Sequence, residues 1–231
     1  MHVSVLVFPG SNCDHDAYHA LKHILGVDVS FVWHKEIDLP KTDMVLVPGG
    51  FSYGDYLRSG AIARFSPIMQ EVVKYANKGG AVIGICNGFQ ILLESGLLPG
   101  AMLHNENLRF VCKQVFIKTE QTDTPFTHGI EKGRVLTIPV AHGEGNFTAA
   151  EKVLKEIEDN NQVVFRYCDA EGNVNTDFNP NGSIHNIAGI CNKQRNVLGM
   201  MPHPERACEK KLGSDDGLLI FRSALNSLSV L

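Results

Sequence analysis

Residues 84–88 constrain the fold of this chain more than any other segment. Their sequence is Gly-Ile-Cys-Asn-Gly, and they follow the apolar run 81–85 and precede an amphipathic stretch. A G-x-C-x-G segment in this setting is typical of a nucleophile elbow, a tight turn from a strand into a helix. Glycines flank such a turn because a Cβ would clash with the strand and helix backbones. We therefore predict a strand, a sharp turn at Cys86 and a helix, in that order.

Cys86 is the candidate nucleophile. The turn lifts its side chain above the sheet, and the dipole at the start of the following helix favours the thiolate form. A structural cysteine is the alternative interpretation, but the flanking glycines are costly unless the geometry requires them. Four other cysteines have no such setting and are interpreted as core residues. They are Cys13, Cys112, Cys168 and Cys191.

Apolar runs alternate with amphipathic stretches in the first half of the chain. This order predicts an α/β fold with a doubly wound, mostly parallel sheet flanked by helices. In such a sheet, sites form outside the carboxyl ends of the strands. The predicted strands are 3–8, 27–32, 44–47 and 81–85, and the predicted helices run to about residue 25, over 62–77 and over 89–93.

The second half of the chain predicts a smaller antiparallel part. The segment 148–151, Thr-Ala-Ala-Glu, has capping-box form before a short helix. Because the chain has no repeat, low-complexity tract or long linker, we predict one domain over 1–231. The predicted strands are 110–118, 135–140, 163–168, 187–191 and 197–200, and a helix is predicted over 215–228.

Composition argues against several classes of function. The net charge is −4 and Lys and Arg form no run, so nothing favours nucleic acid as a partner. No stretch approaches the ~20 apolar residues of a membrane span, and the N-terminus lacks signal-peptide features. We therefore expect a cytoplasmic protein with reduced thiols. The chain has no C-x-x-C pair typical of structural zinc, and neither of the two common glycine-rich nucleotide-binding motifs.

A cysteine nucleophile needs a base and a group that orients the base. The segment 202–206, Pro-His-Pro-Glu-Arg, offers His203 and Glu205. The residue before a proline favours extended backbone, and residues i and i+2 of a strand face the same side. We therefore predict that Glu205 orients the His203 imidazole. By itself, the segment is also consistent with a rigid loop that carries a surface ion pair.

Acyl transfer also needs hydrogen-bond donors for an oxyanion. The backbone N–H of Asn87, directly after the nucleophile, is one candidate. The pair Gly49 and Gly50 is the other, because the absence of side chains lets backbone approach a substrate. Taken alone, a glycine pair is also typical of an ordinary turn.

Three histidines share one face of the first predicted helix. His15, His19 and His23 are spaced four residues apart. We interpret them as a solvated face, because metal-binding histidines need further ligands and supporting contacts. A metal site is the alternative.

The order of these motifs resembles that of class I (triad) glutamine amidotransferases, whose fold is flavodoxin-like. Within that group, several longer segments are similar to the family of glutaminase subunits of phosphoribosylformylglycinamidine synthase. The resemblance spans essentially the whole chain. The segments are 8–14, 49–55, 84–90, 141–147 and 202–206.

The resemblance implies a glutaminase mechanism without a metal or cofactor in this chain. It implies that Cys86 attacks the side-chain amide of glutamine while His203, oriented by Glu205, moves the protons. A γ-glutamyl thioester forms, ammonia leaves, and water releases glutamate. Backbone of Gly50 and Asn87 is expected to form the oxyanion hole. The residues expected to bind glutamine are Gly49, Gln90, Asn105, Arg109 and His142.

The resemblance also implies partners. Ammonia is expected to pass to a synthetase subunit that holds ATP and Mg and amidates formylglycinamide ribonucleotide in purine biosynthesis, with a small accessory subunit in the complex. We hypothesise that the free chain is poorly active until docking sets its glycine-rich loops. The competing hypotheses are an amidotransferase subunit of another pathway, a γ-glutamyl hydrolase, a non-enzymatic binding module and a metal sensor.

Overall fold

The fold is known from a computed structural model that describes residues 1–55 and 58–229. The domain predicted over 1–231 therefore includes four residues outside the described part, 56, 57, 230 and 231. No helix in the described part has the length and apolar composition needed to cross a membrane.

Eleven strands lie within the described residues. Five of them, β3, β4, β9, β10 and β11, have the predicted bounds. Two strands of three residues each, β5 and β8, were not predicted because so short a run carries no clear period. The strands are β1 (His2–Val7), β2 (Asp28–Trp33), β3 (Met44–Val47), β4 (Ala81–Ile85), β5 (Ala101–Leu103), β6 (Val111–Thr119), β7 (Val135–His142), β8 (Asn146–Thr148), β9 (Val163–Cys168), β10 (Ile187–Cys191) and β11 (Val197–Met200).

Nine of these strands form one sheet in the order β2-β1-β3-β4-β11-β10-β9-β6-β7. The first five strands pair with one another in parallel. From β11 onward every pairing is antiparallel. The mostly parallel α/β fold is confirmed, and its antiparallel part continues the same sheet, with β5 and β8 as a separate two-stranded ribbon.

Five α-helices of the described part flank the strands, and two of them depart from the predictions. The helix predicted from 62 begins at Pro67, because the residue before proline, Ser66, is extended. The first helix changes after Tyr18 into π-helical turns over His19–Ile24. The helices are α1 (Asp14–Tyr18), α2 (Pro67–Asn77), α3 (Asn87–Glu94), α4 (Glu151–Asp159) and α5 (Gly217–Leu228).

The capping box predicted for α4 is wrong. The residue at the N-cap is Ala150, and no side chain caps the helix. Thr148 is instead the last residue of β8, where it pairs with Ala101 of β5. Strand pairing therefore holds this threonine away from the helix start.

The central strands bring the motifs to one edge of the sheet. Every residue of β3, β4 and β11 is buried, as expected for strands covered on both faces. Gly49 follows β3, Cys86 follows β4 and His203 follows β11 closely. Since these three strands are adjacent and parallel, the residues meet at their carboxyl ends.

Gly88 sets how closely α3 approaches β3. A Cβ on Gly88 would lie 2.0 Å from the carbonyl oxygen of Val47, which is backbone and cannot move aside cheaply. We predict that Gly88→Ala lowers the free energy of unfolding by about 3 kcal/mol or more. Gly79→Ala is the control, because it meets no atom within 4 Å and only strains a backbone with φ +93°. It should cost about 1–2 kcal/mol.

Urea unfolding of the two variants and the wild type measures both changes. Equal losses in the two variants would show that backbone strain, rather than the contact at Val47, decides the effect.

Candidate active site

Cys86 lies in the strained turn that the sequence predicts. Its backbone has φ 52° and ψ −108°, outside the regions that a non-glycine residue normally adopts. Its N–H donates to the carbonyl of Met200 (2.8 Å), and its carbonyl accepts from Gln90 N–H (3.2 Å). The turn is therefore held by β11 on one side and by the first turn of α3 on the other. Cys86 lines a cavity of about 500 Å³, within the size range of small-molecule sites.

His203 and Glu205 form a buried pair. Nδ1 of His203 donates to Oε1 of Glu205 at 2.6 Å, and the two side chains are 1% and 0% exposed. Burial alone would lower the pKa of His203, but the charges of Glu205 and the Cys86 group raise it well above its usual value. This arrangement favours an imidazole that holds a proton and can pass it on.

The backbone around His203 differs from the predicted strand. Pro204–Arg206 is a 3-10 turn, and His203 precedes it with φ −101° and ψ 87°. The two side chains meet because the tight turn brings residue i+2 back beside residue i. The expectation that Glu205 is next to His203 is confirmed, whereas the extended geometry given as its reason is wrong.

Gly49 allows the nucleophile and the base to approach each other. A Cβ at Gly49 would lie 2.8 Å from Cε1 of His203, 3.2 Å from Sγ of Cys13 and 3.3 Å from Cβ of Cys86. No hydrogen bond links Nε2 of His203 to another described residue. That nitrogen is therefore available to a thiol or a substrate, and such contacts commonly tighten only in a complex.

Gly50 lines the cavity, and Asn87 directly follows the cavity-lining Cys86. Gly50 has φ +119°, and a Cβ there would lie 2.6 Å from the backbone nitrogen of Asn12, so only glycine fits. Its N–H donates no hydrogen bond to another described residue. Asn87 is the first residue of α3, where N–H groups have no partner inside the helix. The N–H groups of Gly50 and Asn87 thus donate to no other described residue and remain candidates for the oxyanion hole.

The side chain of Asn87 joins the elbow to the segment Ser52–Asp55 and to Gln90 of α3. Its Nδ2 donates to Oδ1 of Asp55 (3.1 Å) and to Oε1 of Gln90 (2.8 Å), and its Oδ1 accepts from Ser52 N–H (3.2 Å). Gln90 in turn donates to the carbonyl of Glu144 (2.6 Å). Gln90 thus lines the cavity with an amide that the network already orients.

Asn105 supports the cavity from behind. It is fully buried and donates to the carbonyls of Arg109 (2.7 Å) and His142 (2.9 Å). Its Oδ1 accepts from Nδ1 of His142 (3.0 Å), and Asn181 approaches Nε2 of the same ring at 3.4 Å. Burial and the nearby His203 lower the pKa of His142 to about 4, so this cavity-lining histidine is neutral. Arg109 is exposed and is not among the residues that line this cavity.

The cavity is also lined by residues to which the sequence analysis gave no role in the site. Phe51 and Phe110 are about half exposed and stack at a centroid distance of 6.4 Å. Asp55 and Glu144 bring two carboxylates, and Cys13 brings a second thiol. The motifs over 8–14, 49–55 and 141–147 contain four of these five residues, but only the fold shows which of them face the cavity.

Two of the cysteine interpretations need correction. Cys13 is buried, as predicted, but it lines the cavity beside the base. Cys112 is exposed, because it lies in the part of β6 that pairs only with β7. Pairing with β9 begins at Phe116.

The histidine face of the first helix forms no metal-ligand cluster within the described residues. His15 bonds Asp14 (2.8 Å) and His19 bonds Glu209 (3.0 Å). The ring of His23 packs edge-on against Tyr18. These contacts are those of a surface helix face.

Comparison with known proteins agrees with the motifs. Residues 1–216 match the CobB/CobQ-like glutamine amidotransferase domain family. Phosphoribosylformylglycinamidine synthase subunit PurQ of Salinibacter ruber is 59% identical over 226 residues, which cover 98% of this chain and 96% of that protein. The chain belongs to the PurQ family of glutamine amidotransferases. The PurQ subunit of Koribacter versatilis is 57% identical over 229 residues, 99% of both chains.

Solved structures share the fold. A chain of PurLQS from Thermotoga maritima aligns with a TM-score of 0.87 at 45% identity, over 98% of both chains. A separate glutamine amidotransferase of Thermotoga maritima aligns with a TM-score of 0.57 at 15% identity. That alignment covers 100% of this chain and 92% of the other, and it shows the fold alone. The resemblance expected from the sequence is confirmed at the level of the PurQ family.

Asp55 gives a pH-dependent prediction. Burial, with the charge of Glu144, raises its pKa from 3.8 to about 6, although bonds from Ser59 and Asn87 oppose the shift. The ionised carboxylate therefore destabilises the fold, and this cost appears as the pH rises from about 4 to 6. We expect the melting temperature of Asp55→Asn to rise relative to that of the wild type as the pH increases across this window.

Asp28→Asn is the control with the opposite trend. Bonds from His2 and Lys22 lower the pKa of Asp28, so its carboxylate stabilises the fold at neutral pH and less as the pH falls. Thermal melting at several pH values measures both variants. A difference in melting temperature between Asp55→Asn and the wild type that stays constant with pH would contradict the prediction.

Proposed function

We propose that this chain is the glutaminase component of a phosphoribosylformylglycinamidine synthase, with Cys86, His203 and Glu205 as its catalytic triad. The observation that carries the proposal is that Cys86 and His203 line one cavity, just after two adjacent parallel strands, while Glu205 bonds the His203 imidazole. Membership of the PurQ family supports it. We also infer that 1–231 forms one glutamine amidotransferase domain, because the main sheet uses strands from both halves of the chain.

The reaction begins with attack of the Cys86 sulfur on the side-chain amide carbon of glutamine. The N–H groups of Gly50 and Asn87 stabilise the oxyanion that forms. His203 gives a proton to the leaving nitrogen, and ammonia departs from the γ-glutamyl thioester. His203 then takes a proton from water, which attacks the thioester. Glutamine and water are consumed, glutamate and ammonia are released, and Cys86 is restored.

The cavity residues have complementary roles in holding glutamine. Gln90 offers a cavity-facing amide fixed by Asn87 and the Glu144 carbonyl. His142 offers a neutral imidazole. Asn105 and Arg109 act indirectly in this scheme, since Asn105 binds the Arg109 carbonyl and positions His142. Gly49 contributes by leaving space between Cys86 and His203.

We propose that ammonia passes to a synthetase subunit, which holds ATP and Mg and converts formylglycinamide ribonucleotide to formylglycinamidine ribonucleotide in the cytoplasm. The relatives named as subunits of this synthase support a multi-subunit enzyme, to which we add a small accessory subunit. The glycine at position 50 supports partner control, because glycine permits rotation of this peptide, and such a rotation would remove one oxyanion donor. An amidotransferase of another pathway and a γ-glutamyl hydrolase are not favoured by the PurQ relatives.

Cys86→Ala tests the proposed function. It should lower glutamate release from glutamine by at least ~10⁴-fold, because no nucleophile remains. With the synthetase components present, the variant should still make product from added ammonia. Cys112→Ala, which removes an exposed thiol, should behave as the wild type.

The same assay without the synthetase measures partner control, and we expect slow glutamine hydrolysis by the free chain. Glutamate release that persists in Cys86→Ala would show that Cys86 is not the nucleophile. If no form of the protein releases glutamate, with or without the synthetase, the proposed function is wrong.

Glu205→Gln tests the orienting carboxylate. A neutral amide can bond the imidazole but cannot stabilise its protonated form, so kcat should fall by about 10²–10⁴-fold with little change in KM. The pH profile should also shift, since the charge of Glu205 raises the pKa of His203. A variant with normal kcat and pH profile would contradict this role.

A further inference from the structure

The loop 50–55 carries the candidate oxyanion donor Gly50 and has an uncommon backbone. Tyr53 and Asp55 have φ 58° and 52°, in the left-handed region that non-glycine residues rarely adopt, and Gly54 between them has φ 68°. Such a conformation is costly, so it persists only where surrounding contacts hold it. The position of the Gly50 N–H therefore depends on the contacts that hold the 50–55 loop.

One side of the 50–55 loop is bonded to the segment that follows β1. The N–H of Phe51 donates to the carbonyl of Gly10 (3.2 Å), and the N–H of Tyr53 donates to the carbonyl of Pro9 (2.6 Å). These bonds join backbone to backbone, so a side-chain substitution elsewhere leaves the bonded groups unchanged.

The other side of the loop is bonded to the elbow through the side chain of Asn87. Its Oδ1 accepts from the N–H of Ser52 (3.2 Å), and its Nδ2 donates to Oδ1 of Asp55 (3.1 Å). The same Nδ2 also donates to Oε1 of Gln90 (2.8 Å), and Asn87 is only 1% exposed. Because an amide nitrogen has two hydrogens, both are in use, and the amide has one orientation that satisfies all three partners.

We propose that Asn87 is a positioning residue of the glutaminase reaction, because its side chain holds the 50–55 loop where the Gly50 N–H can reach the oxyanion. Asn87 then contributes twice: its backbone N–H is one donor, and its side chain places the other. A site needs such supporting contacts to keep its donors in the productive geometry. The effect on the reaction rate rests on the proposed glutaminase function, whereas the effect on the loop does not.

Asn87→Ala separates the two contributions. Alanine keeps the backbone N–H at position 87 and removes both side-chain bonds to the loop. Among the described residues, the Asn87 side chain bonds neither Cys86 nor His203. The variant should therefore keep its nucleophile and base but lose the fixed position of the Gly50 donor.

The first test measures hydrogen–deuterium exchange of the 50–55 loop in the full-length chain. We expect exchange at least about tenfold faster in Asn87→Ala, because the N–H of Ser52 loses its acceptor. The matched control is Asn196→Ala, which removes another buried amide, bonded to two backbone carbonyls just before β11, at the opposite end of the sheet. Loop exchange in this control should match the wild type. Unchanged exchange in Asn87→Ala would overturn the proposal.

The second test compares alkylation of Cys86 by iodoacetamide with glutamine hydrolysis in the presence of the synthetase. Alkylation needs a reactive thiolate but no oxyanion donor, so its rate in Asn87→Ala should stay within about threefold of the wild type. The kcat for glutamate release should fall about 10²–10³-fold with little change in KM, as expected for loss of one oxyanion donor. Asn196→Ala should keep both rates.

Two results of the second test would overturn the positioning role. A normal kcat in Asn87→Ala would show that the side chain is not needed, and equal losses of alkylation and hydrolysis would show general damage to the elbow. If no form of the protein releases glutamate, the proposed function is wrong, and hydrogen exchange alone decides whether Asn87 holds the loop.

Two variants of Asp55 cover the case in which Asn87→Ala does not fold. Asp55→Asn keeps an acceptor oxygen for Nδ2 of Asn87, whereas Asp55→Ala removes it. Exchange of the loop should be no faster in Asp55→Asn than in the wild type and at least about threefold faster in Asp55→Ala. Equal exchange in the two variants would overturn the role of this bond.

Discussion

The contact between α3 and the end of β3 is the constraint on which the site depends. The α-carbon of Gly88 packs against the carbonyl of Val47, and a Cβ on Gly84 would lie within 2.7 Å of the carbonyl of Gly88. Only with hydrogen at both positions can the chain turn so sharply at Cys86. The turn then places the Cys86 N–H on the carbonyl of Met200, which fixes the nucleophile to the strand that leads to His203.

Two histidines in the same cavity have opposite electrostatic environments. His203 faces the buried carboxylate of Glu205, which raises its pKa well above the usual value despite burial. Among the described residues, the ring of His142 bonds the amides of Asn105 and Asn181, and burial lowers its pKa to about 4. The fold therefore supplies one imidazole suited to proton transfer and one that stays neutral. The difference between the two pKa values follows from the polar groups buried beside each ring. The positions of the two histidines in the sequence do not reveal it.

The sequence predicted those features that depend on neighbouring residues. The elbow follows from two glycines around Cys86, and β3 and β4 follow from continuous apolar runs at the predicted bounds. Prediction from the sequence failed where contacts between distant residues determine the structure. Thr148, for example, pairs with Ala101 in the β5–β8 ribbon and does not cap α4. The roles of Cys13 and Asp55 could not be predicted either, because both depend on segments that only the fold brings near. The catalytic and substrate-binding roles remain predictions that the kinetic variants test.

The position of β11 has a consequence for how this protein is made. Among the described strands it is the latest along the chain, yet it lies in the middle of the sheet, between β4 and β10. During synthesis on the ribosome, β4 therefore has one edge uncovered until residues 197–200 have emerged. The parallel half of the sheet and the antiparallel half can join only then, and such long-range pairing is slow to form. Nascent chains therefore expose this apolar strand edge for about half of their synthesis, from residue 85 to residue 200, and such an edge favours pairing with other chains.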